Sequence, residues 1–419
     1  MNAQTLKGFR DIGPDEMLQR KEILAKTEEI VKKYGFLPLE TPALEQADLL
    51  LGKYGSEEKL IYKFRDQGDR EIALRYDLTV PLARFVENNK GQLNFPFKRY
   101  QIGQAWRTEK PQKGRFREFL QFDTDIVGSS DPTSDAEILA MISEWLDSFD
   151  LKFQIKVNDR KILDDALDSI DASKEDRKKI SIAIDKLDKI GFEEVKKELE
   201  GIKNISALME FLKWNKGDID SFAKLVNNKN VTKNLKEIIR QAKKLGAKNI
   251  VFDPRIIRGL DYYTSTIFEA TISDYENVGS VTGGGRYDKM ISELASGNYP
   301  AVGTSFGIDR IAEVLKESKK LEMKTQSTQI VILNIDEKLI NDYLEIVKKL
   351  RDKNINCELI YSTEKISKQL SKVSKKNIPF VLIYGSQEKQ KDIFVLRDMQ
   401  KNQQKEYKNL EEIIKHWYK

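Results

Sequence analysis

The chain has 419 residues, 40% of them hydrophobic and 33% charged, and a formal net charge of +5. That length accommodates two or three domains with sizeable cores. A single cysteine, Cys357, and a single histidine, His416, exclude an internal disulfide and a cysteine-based metal site, and nearly exclude a histidine-based triad or zinc centre. No apolar run approaches the ~20 residues that cross a bilayer, and the first residues lack the apolar core of a signal peptide. A cytoplasmic protein with no membrane partner is expected, with chemistry built on carboxylates, arginines and bound ligands. The charge is unevenly placed. From residue 329 onward there are 18 Lys/Arg against 13 Asp/Glu, a surplus of 5 that equals the whole net charge. A basic terminal domain on a neutral body suggests a polyanion such as RNA, although a solvated lysine-rich surface has the same composition.

In chain order, residues 15–34 have helical spacing. Asp15 and Glu16 favour the dipole in the first turn. Met17, Leu24, Val31 and Tyr34 mark an apolar stripe, and Gly35 can end the helix in a left-handed cap. Residues 36–44 are extended and broken by Pro38 and Pro42. Residues 60–66 and 70–77 form two strands around a turn at 66–69. The second strand leads into Asp77 and Thr79, two apart, so an extended chain points both to one side. A carboxylate beside a hydroxyl can hold an ammonium group; the alternative is a helix N-cap.

Residues 97–107 and 117–128 form two strands around a loop marked by Pro111 and Gly114. On the second strand Arg117, Phe119, Gln121, Asp123 and Asp125 share one face, while Leu120, Phe122, Thr124 and Ile126 share the apolar other. The polar face suits a pocket in which Arg107 and Arg117 bracket a phosphate through their planar forks. Residues 131–149 form a helix capped by Asp131 or Ser134, with Ile142 and Trp145 in the core. Residues 153–158 are a strand. From about 160 to 245 the chain becomes a mixed-charge helical insertion. Residues 249–253 return it to the core and lead to Arg258-Gly-Leu-Asp-Tyr-Tyr-Thr-Ser-Thr-Ile-Phe-Glu269. In that run Tyr263, Ser265, Ile267 and Glu269 alternate with Tyr262, Thr264, Thr266 and Phe268, and polar groups on both faces suit the floor of a pocket. Gly283, Gly284 and Gly285 let a ligand lie against the backbone. Arg310 stands in the first turn of a helix after Gly307, where a cation opposes the dipole unless an anion arrives. Residues 317–328 read as a linker. The rest alternates: strands at 329–335, 356–362, 378–384 and 392–399, helices at 337–353, 364–376 and 409–418. That order argues for a mainly parallel sheet.

These stretches closely resemble the histidyl branch of the class II aminoacyl-tRNA synthetases, across nearly the whole chain. Arg107-Thr-Glu109 with the run from Gly114 to Gln121 and Asp125 resembles the second class II motif in its histidine-specific form. The Arg258 run, Gly284-Gly-Arg-Tyr-Asp288 and the Gly307–Arg310 segment resemble the histidyl signatures and the third motif. The resemblance implies an α+β fold: an antiparallel sheet flanked by helices over residues 1–322, the helical insertion, and an α/β anticodon-binding domain over 329–419. It implies ATP-dependent activation of histidine and transfer to the 3′ end of tRNA(His), with Mg²⁺ bridging the phosphates and a homodimer formed through the first motif. Arg107 and Arg258 would be catalytic. Asp77, Thr79 and Gln121 would bind the substrate ammonium. Asp125 and Tyr263 would read the imidazole, with Arg258, Tyr262 and Tyr287 also at the amino acid. Arg107, Glu109, Arg117, Gln121 and Arg310 would bind ATP, and Gln112 would reach the tRNA acceptor end. Two rivals are a non-catalytic, synthetase-like regulatory subunit of histidine biosynthesis, which usually loses the catalytic arginine and the anticodon domain, and a pure RNA-binding module.

Overall fold

A computed structural model describes residues 3–52, 54–111, 116–185, 187–214, 219–223, 229–256, 263–320 and 327–417. The chain divides into two compact units, one of Met1–Asp11 with Glu22–Leu321, the other of Ile12–Lys21 with Glu322–Lys419.

The first unit contains, in chain order, β1 (Leu37–Pro38), β2 (Leu44–Gln46), β3 (Lys63–Arg65), β4 (Glu71–Leu74), β5 (Phe97–Trp106), β6 (Glu118–Val127), β7 (Phe153–Asp159), β8 (Ile250–Phe252), β9 (Thr266–Ile272), β10 (Thr282–Arg286) and β11 (Ala301–Phe306). Eight of these form one sheet in the order β1-β5-β6-β11-β10-β9-β7-β8. Its interior pairs are antiparallel, and the outermost pairs, β1 with β5 and β7 with β8, are parallel. Strands β2, β4 and β3 make a small antiparallel sheet of their own.

The alternation in β6 organises the centre. Phe122 and Ile126 face the core, where Phe122 stacks on Tyr100 at 5.6 Å and meets Phe306 edge-on at 5.7 Å. Behind them lies the helix Pro132–Asp147, started by Pro132 and by the Asp131 carboxylate, which accepts from the Thr133 N–H at 2.8 Å. Its Trp145 is fully buried against Phe306 and donates Nε1–H to Thr27 Oγ1 at 2.8 Å. Replacing Trp145 by alanine would cost ~3–5 kcal/mol, the usual range for a buried ring.

Parallel neighbours need a crossover, and between β7 and β8 residues 160–245 supply it. The last helix of that crossover, Lys229–Lys244, buries Val231, Leu235, Ile238 and Ala242 in the same core cluster as Trp145 and Phe306. The insertion therefore shares the sheet's core. The hairpin strands are shorter than the sequence suggests, 63–65 and 71–74, because Gly55–Leu60 forms a 3₁₀ turn before them. Thr79 opens the helix Thr79–Asn89, so Asp77 and Thr79 do not lie on extended chain. Within the described part of the run after Arg258, from Tyr263 onward, strand begins at Thr266.

The second unit carries β12 (Ile330–Ile332), β13 (Cys357–Leu359), β14 (Phe380–Ile383), β15 (Phe394–Asp398) and β16 (Gln403–Tyr407), in the order β13-β12-β14-β15-β16. β12 is parallel to both neighbours, while β15 and β16 are antiparallel, so the sheet is mixed rather than mainly parallel. β16 and the helix Ser386–Lys391 are additions to the sequence reading. β16 is Gln-Gln-Lys-Glu-Tyr with four exposed positions, and an exposed polar strand has no hydrophobic period to read.

Candidate active site

A cavity of about 460 Å³ opens over the middle of the large sheet, a size that receives small-molecule ligands. β6, β10 and β11 form its floor, and the segments entering the helices Thr79–Asn89 and Ile308–Glu317 close its sides. Asp77, Thr79, Arg107, Glu109, Gln121, Asp125, Tyr263, Tyr287 and Arg310 all line it.

One set of lining groups is acidic and sealed. Asp77 is buried, and its Oδ1 accepts from Tyr54 O–H at 2.9 Å and from the Thr79 and Val80 N–H groups at 3.0 and 3.1 Å. That is helix capping. Among the described residues its Oδ2, also buried, has no hydrogen-bond partner, and neither has Gln121 Oε1. The capping and ligand-binding readings of Asp77 thus occupy different oxygens of one carboxylate. Burial pushes this carboxyl up, and the capping N–H groups oppose the push.

Asp125 lies opposite Arg99 in the β5–β6 register, and Arg99 Nη2 stands 2.7 Å from Asp125 Oδ2 with both side chains buried. Arg99 also donates to the Leu78 carbonyl at 3.1 Å. Tyr287 O–H donates to Asp125 Oδ1. Burial, then the adjacent Asp125, hold the Tyr287 phenol far above its ordinary value, so it remains a donor. Tyr287 is placed by the residue before it: Arg286 donates to the Ser129 carbonyl at 2.8 Å and Ser134 Oγ at 2.9 Å, and pairs with buried Asp135. Gly303 faces Asp125 from β11, and a Cβ there would collide with the Asp125 carboxylate. A Cβ on Gly285 would come within 2.9 Å of the Tyr263 ring. These two glycines make room for site side chains, while Gly283 and Gly284 of the glycine run line the cavity itself.

Between Gln121 and Asp125 sits Asp123, also in the lining. Burial pushes its carboxyl up to about 7, with Asp125 and Asp77 adding to the push and Arg99 and Ser305 opposing it. Asp123, Arg99 and Tyr54 were not singled out from sequence. The polar face of β6 contained the signal for Asp123. Arg99 and Tyr54 are recognisable only once their partners are in place.

A second set of lining groups is cationic and partly open, and its Arg107 also opposes the rise of the Asp77 carboxyl. Arg107 donates Nε–H to the Tyr76 carbonyl at 3.3 Å and lies over the Tyr76 and Phe119 rings at 4.1 and 5.0 Å. Glu109 is 3.9 Å from its guanidinium. Arg310 donates to the Ser280 carbonyl at the mouth of the glycine strand. Arg117 is not in the lining and does not bracket the pocket with Arg107. Its N–H donates to the Gly8 carbonyl at 2.8 Å, and its guanidinium to the carbonyls of Glu109 at 3.0 Å and Lys7 at 3.3 Å. Gly8 has φ +90, and a Cβ on it would lie 2.8 Å from the Arg117 side chain, so this contact requires glycine. Arg10 covers the Phe116 ring at 4.3 Å. The N-terminal segment therefore braces the base of the 107–117 loop.

Gln112, Arg258 and Tyr262 lie outside the described residues. The chain on either side of 257–262 is anchored from the end of β7. Asn158 Nδ2 donates to the carbonyls of Pro254 and Ile256 at 3.0 and 3.1 Å, and Ser265 O–H donates to Asp159 Oδ2 at 2.7 Å. Among the described residues no three His, Cys, Asp or Glu side chains gather to hold a metal ion, and no helix is long and apolar enough to cross a membrane.

A profile of the histidyl-tRNA synthetase family matches residues 8–311, and one of an anticodon-binding domain matches residues 329–416. A histidine–tRNA ligase of Cytophaga hutchinsonii is 40% identical over 430 residues, spanning 94% of this chain and 94% of its own. Another, of Aeropyrum pernix, is 39% identical over 397 residues, spanning 91% and 90%. The crystal structure of a histidyl-tRNA synthetase from Nostoc sp. PCC 7120 matches with a TM-score of 0.87 at 29% identity, over 100% of both chains.

Proposed function

This chain belongs to the histidyl-tRNA synthetase family, and from that premise we propose how its pocket divides the work. The chain is an aminoacyl-tRNA ligase that activates histidine with ATP and transfers it to tRNA. The rival regulatory reading is less supported, since the anticodon-binding domain is retained.

The acidic groups take the amino acid. Asp77 Oδ2, Thr79 and Gln121 receive the α-ammonium. In support, Asp77 Oδ2 and Gln121 Oε1 are buried acceptors that find no donor among the described residues, and an ammonium with three N–H groups can fill them. Asp125, with Tyr263 and Tyr287, reads the imidazole, which needs an acceptor for one nitrogen and a partner for the other. The cationic groups take ATP, with Mg²⁺ arriving on the nucleotide as part of the substrate. Arg107 and Arg258 hold the α-phosphate. Glu109, whose backbone Arg117 fixes, orients the nucleotide, and Arg310 serves the adenine and γ-phosphate. A histidine carboxylate oxygen attacks the α-phosphorus, a new O–P bond forms, and pyrophosphate leaves with the electrons of the broken bond. The protein's share is alignment and neutralisation of growing negative charge. Gln112 meets the tRNA acceptor end, and the basic second unit reads the anticodon. The enzyme works as a cytoplasmic homodimer paired through the first helix and the strand after it.

The observation that carries this reading is the make-up of one cavity: its lining combines buried acceptors that lack donors among the described residues with the cations Arg107 and Arg310. Pyrophosphate exchange with each of the twenty amino acids tests it. Exchange with histidine alone is the expected result; exchange driven by another amino acid, or none at all, would refute the assignment. Light scattering that returned a monomer mass would remove the dimer.

A further inference from the structure

We propose that Asp123 is a third carboxyl of the amino-acid pocket, protonated in the free enzyme and ionised when histidine is bound. The inference rests on the reading above that this pocket takes histidine.

Asp123 shares the pocket face of β6 with Gln121 and Asp125, ~7 Å from each along the strand. It is buried, lines the cavity, and its Oδ1 has no hydrogen-bond partner among the described residues. The groups around it come from four directions: Asp125 on its own strand, Arg99 on β5, Ser305 opposite it on β11, and Arg75 with Asp77 from the segment between β4 and the helix Thr79–Asn89. The phenols of Tyr54 and Tyr287 are donors to Asp77 and Asp125. Among the described residues, three buried carboxyls thus gather around Arg99, with Arg75 acting on Asp123 and Arg107 on Asp77. In a low-dielectric pocket, like charges at this spacing do not all ionise. Arg99 stands 2.7 Å from Asp125, and Asp77 has three donors. Asp123 is the least compensated and keeps the proton, in line with a carboxyl pushed up to about 7. An incoming ammonium supplies the missing positive charge. The carboxyl then ionises, its proton passes to solvent, and no bond of the substrate changes.

The test is calorimetric titration of the full-length enzyme with histidine, in two buffers of different ionisation heat, comparing wild type with D123N. Near pH 7 the wild type should release about half a proton more per site than the variant, since a group at its pKa is half protonated. The excess should vanish by about pH 8.5, and below pH 7 the wild-type Kd for histidine should rise up to ~tenfold per pH unit relative to D123N. The imidazole's own titration is common to both proteins and cancels in the difference. Equal proton release with histidine still bound would overturn the proposal. A wild type that does not bind histidine at all would overturn the pocket assignment, and this proposal with it. If D123N does not fold, Ser305→Ala serves instead: losing that donor should move the pH of greatest proton release upward, and an unmoved maximum would overturn the idea equally.

Discussion

In the division of the pocket proposed above, the amino-acid groups and the nucleotide groups solve opposite problems with opposite means. Among the amino-acid groups the charges are interred: the Arg99 side chain is 0% exposed and that of Asp125 is 5%. Among the nucleotide groups Arg107 and Glu109 keep 22% and 26% of their side chains exposed, and Arg107 leans on aromatic rings. A buried hydrogen-bonding site rejects ligands that leave its groups unpaired, which is what choosing one amino acid from twenty demands. Triphosphate recognition needs less discrimination and more positive charge, and cations stacked on aromatic rings at a pocket mouth supply it.

Four substitutions probe that contrast, the first three from the largest expected effect to the smallest. Asp125→Ala strands the Arg99 cation in the core, so it should lose ~3–5 kcal/mol of folding stability as well as histidine binding. Denaturant unfolding would measure this, and a wild-type midpoint would mean that the sealed groups are not held by their ion pair. Arg107→Ala should instead leave the melting temperature nearly unchanged while slowing pyrophosphate exchange by ~10²–10³; a large loss of stability would erase the distinction between the two sets. Gly303→Ala forces a methyl against the Asp125 carboxylate and should cost ~1–3 kcal/mol by overpacking. Its histidine KM should rise while the ATP KM holds, a split that steady-state kinetics can reveal.

The last effect is electrostatic and, unlike the others, varies with pH. The Asp123 carboxyl is raised in the folded protein to about 7, so it opposes folding increasingly as pH climbs from the ordinary aspartate range to that value, and by a constant amount above it. In the ligand-free enzyme, Asp123→Asn should therefore raise the melting temperature most at pH 8 and least near pH 4. A gain that grew toward low pH would reverse the sign and place the carboxyl among the stabilising acids.

The sequence disclosed what periodicity encodes. The alternation of β6 separates Phe122 and Ile126 from Gln121, Asp123 and Asp125, and that one pattern fixed both the core and the pocket floor. The helix behind it was legible for the same reason, through Asp131 and the apolar spacing to Trp145. What stayed hidden depends on contacts distant in sequence. Arg117 looked like a phosphate ligand because nothing in the sequence places Gly8 and Lys7 beside it. Arg99 looked like any arginine on a strand until the β5–β6 register set it across from Asp125. The sequence leaves Asp77 open as ligand or cap; the structure shows the cap, made by Oδ1, and leaves Oδ2 without a partner among the described residues.

None of the side chains that line the pocket is an imidazole, and the whole chain contains a single histidine, His416. In a nuclear magnetic resonance experiment the ring nitrogens of an isotopically enriched ligand would therefore stand on an almost empty background. The same scarcity has a consequence for the cell. Each copy of this protein consumes one molecule of the amino acid it handles, so a shortage of histidine hardly slows the making of the enzyme that must then use what little remains.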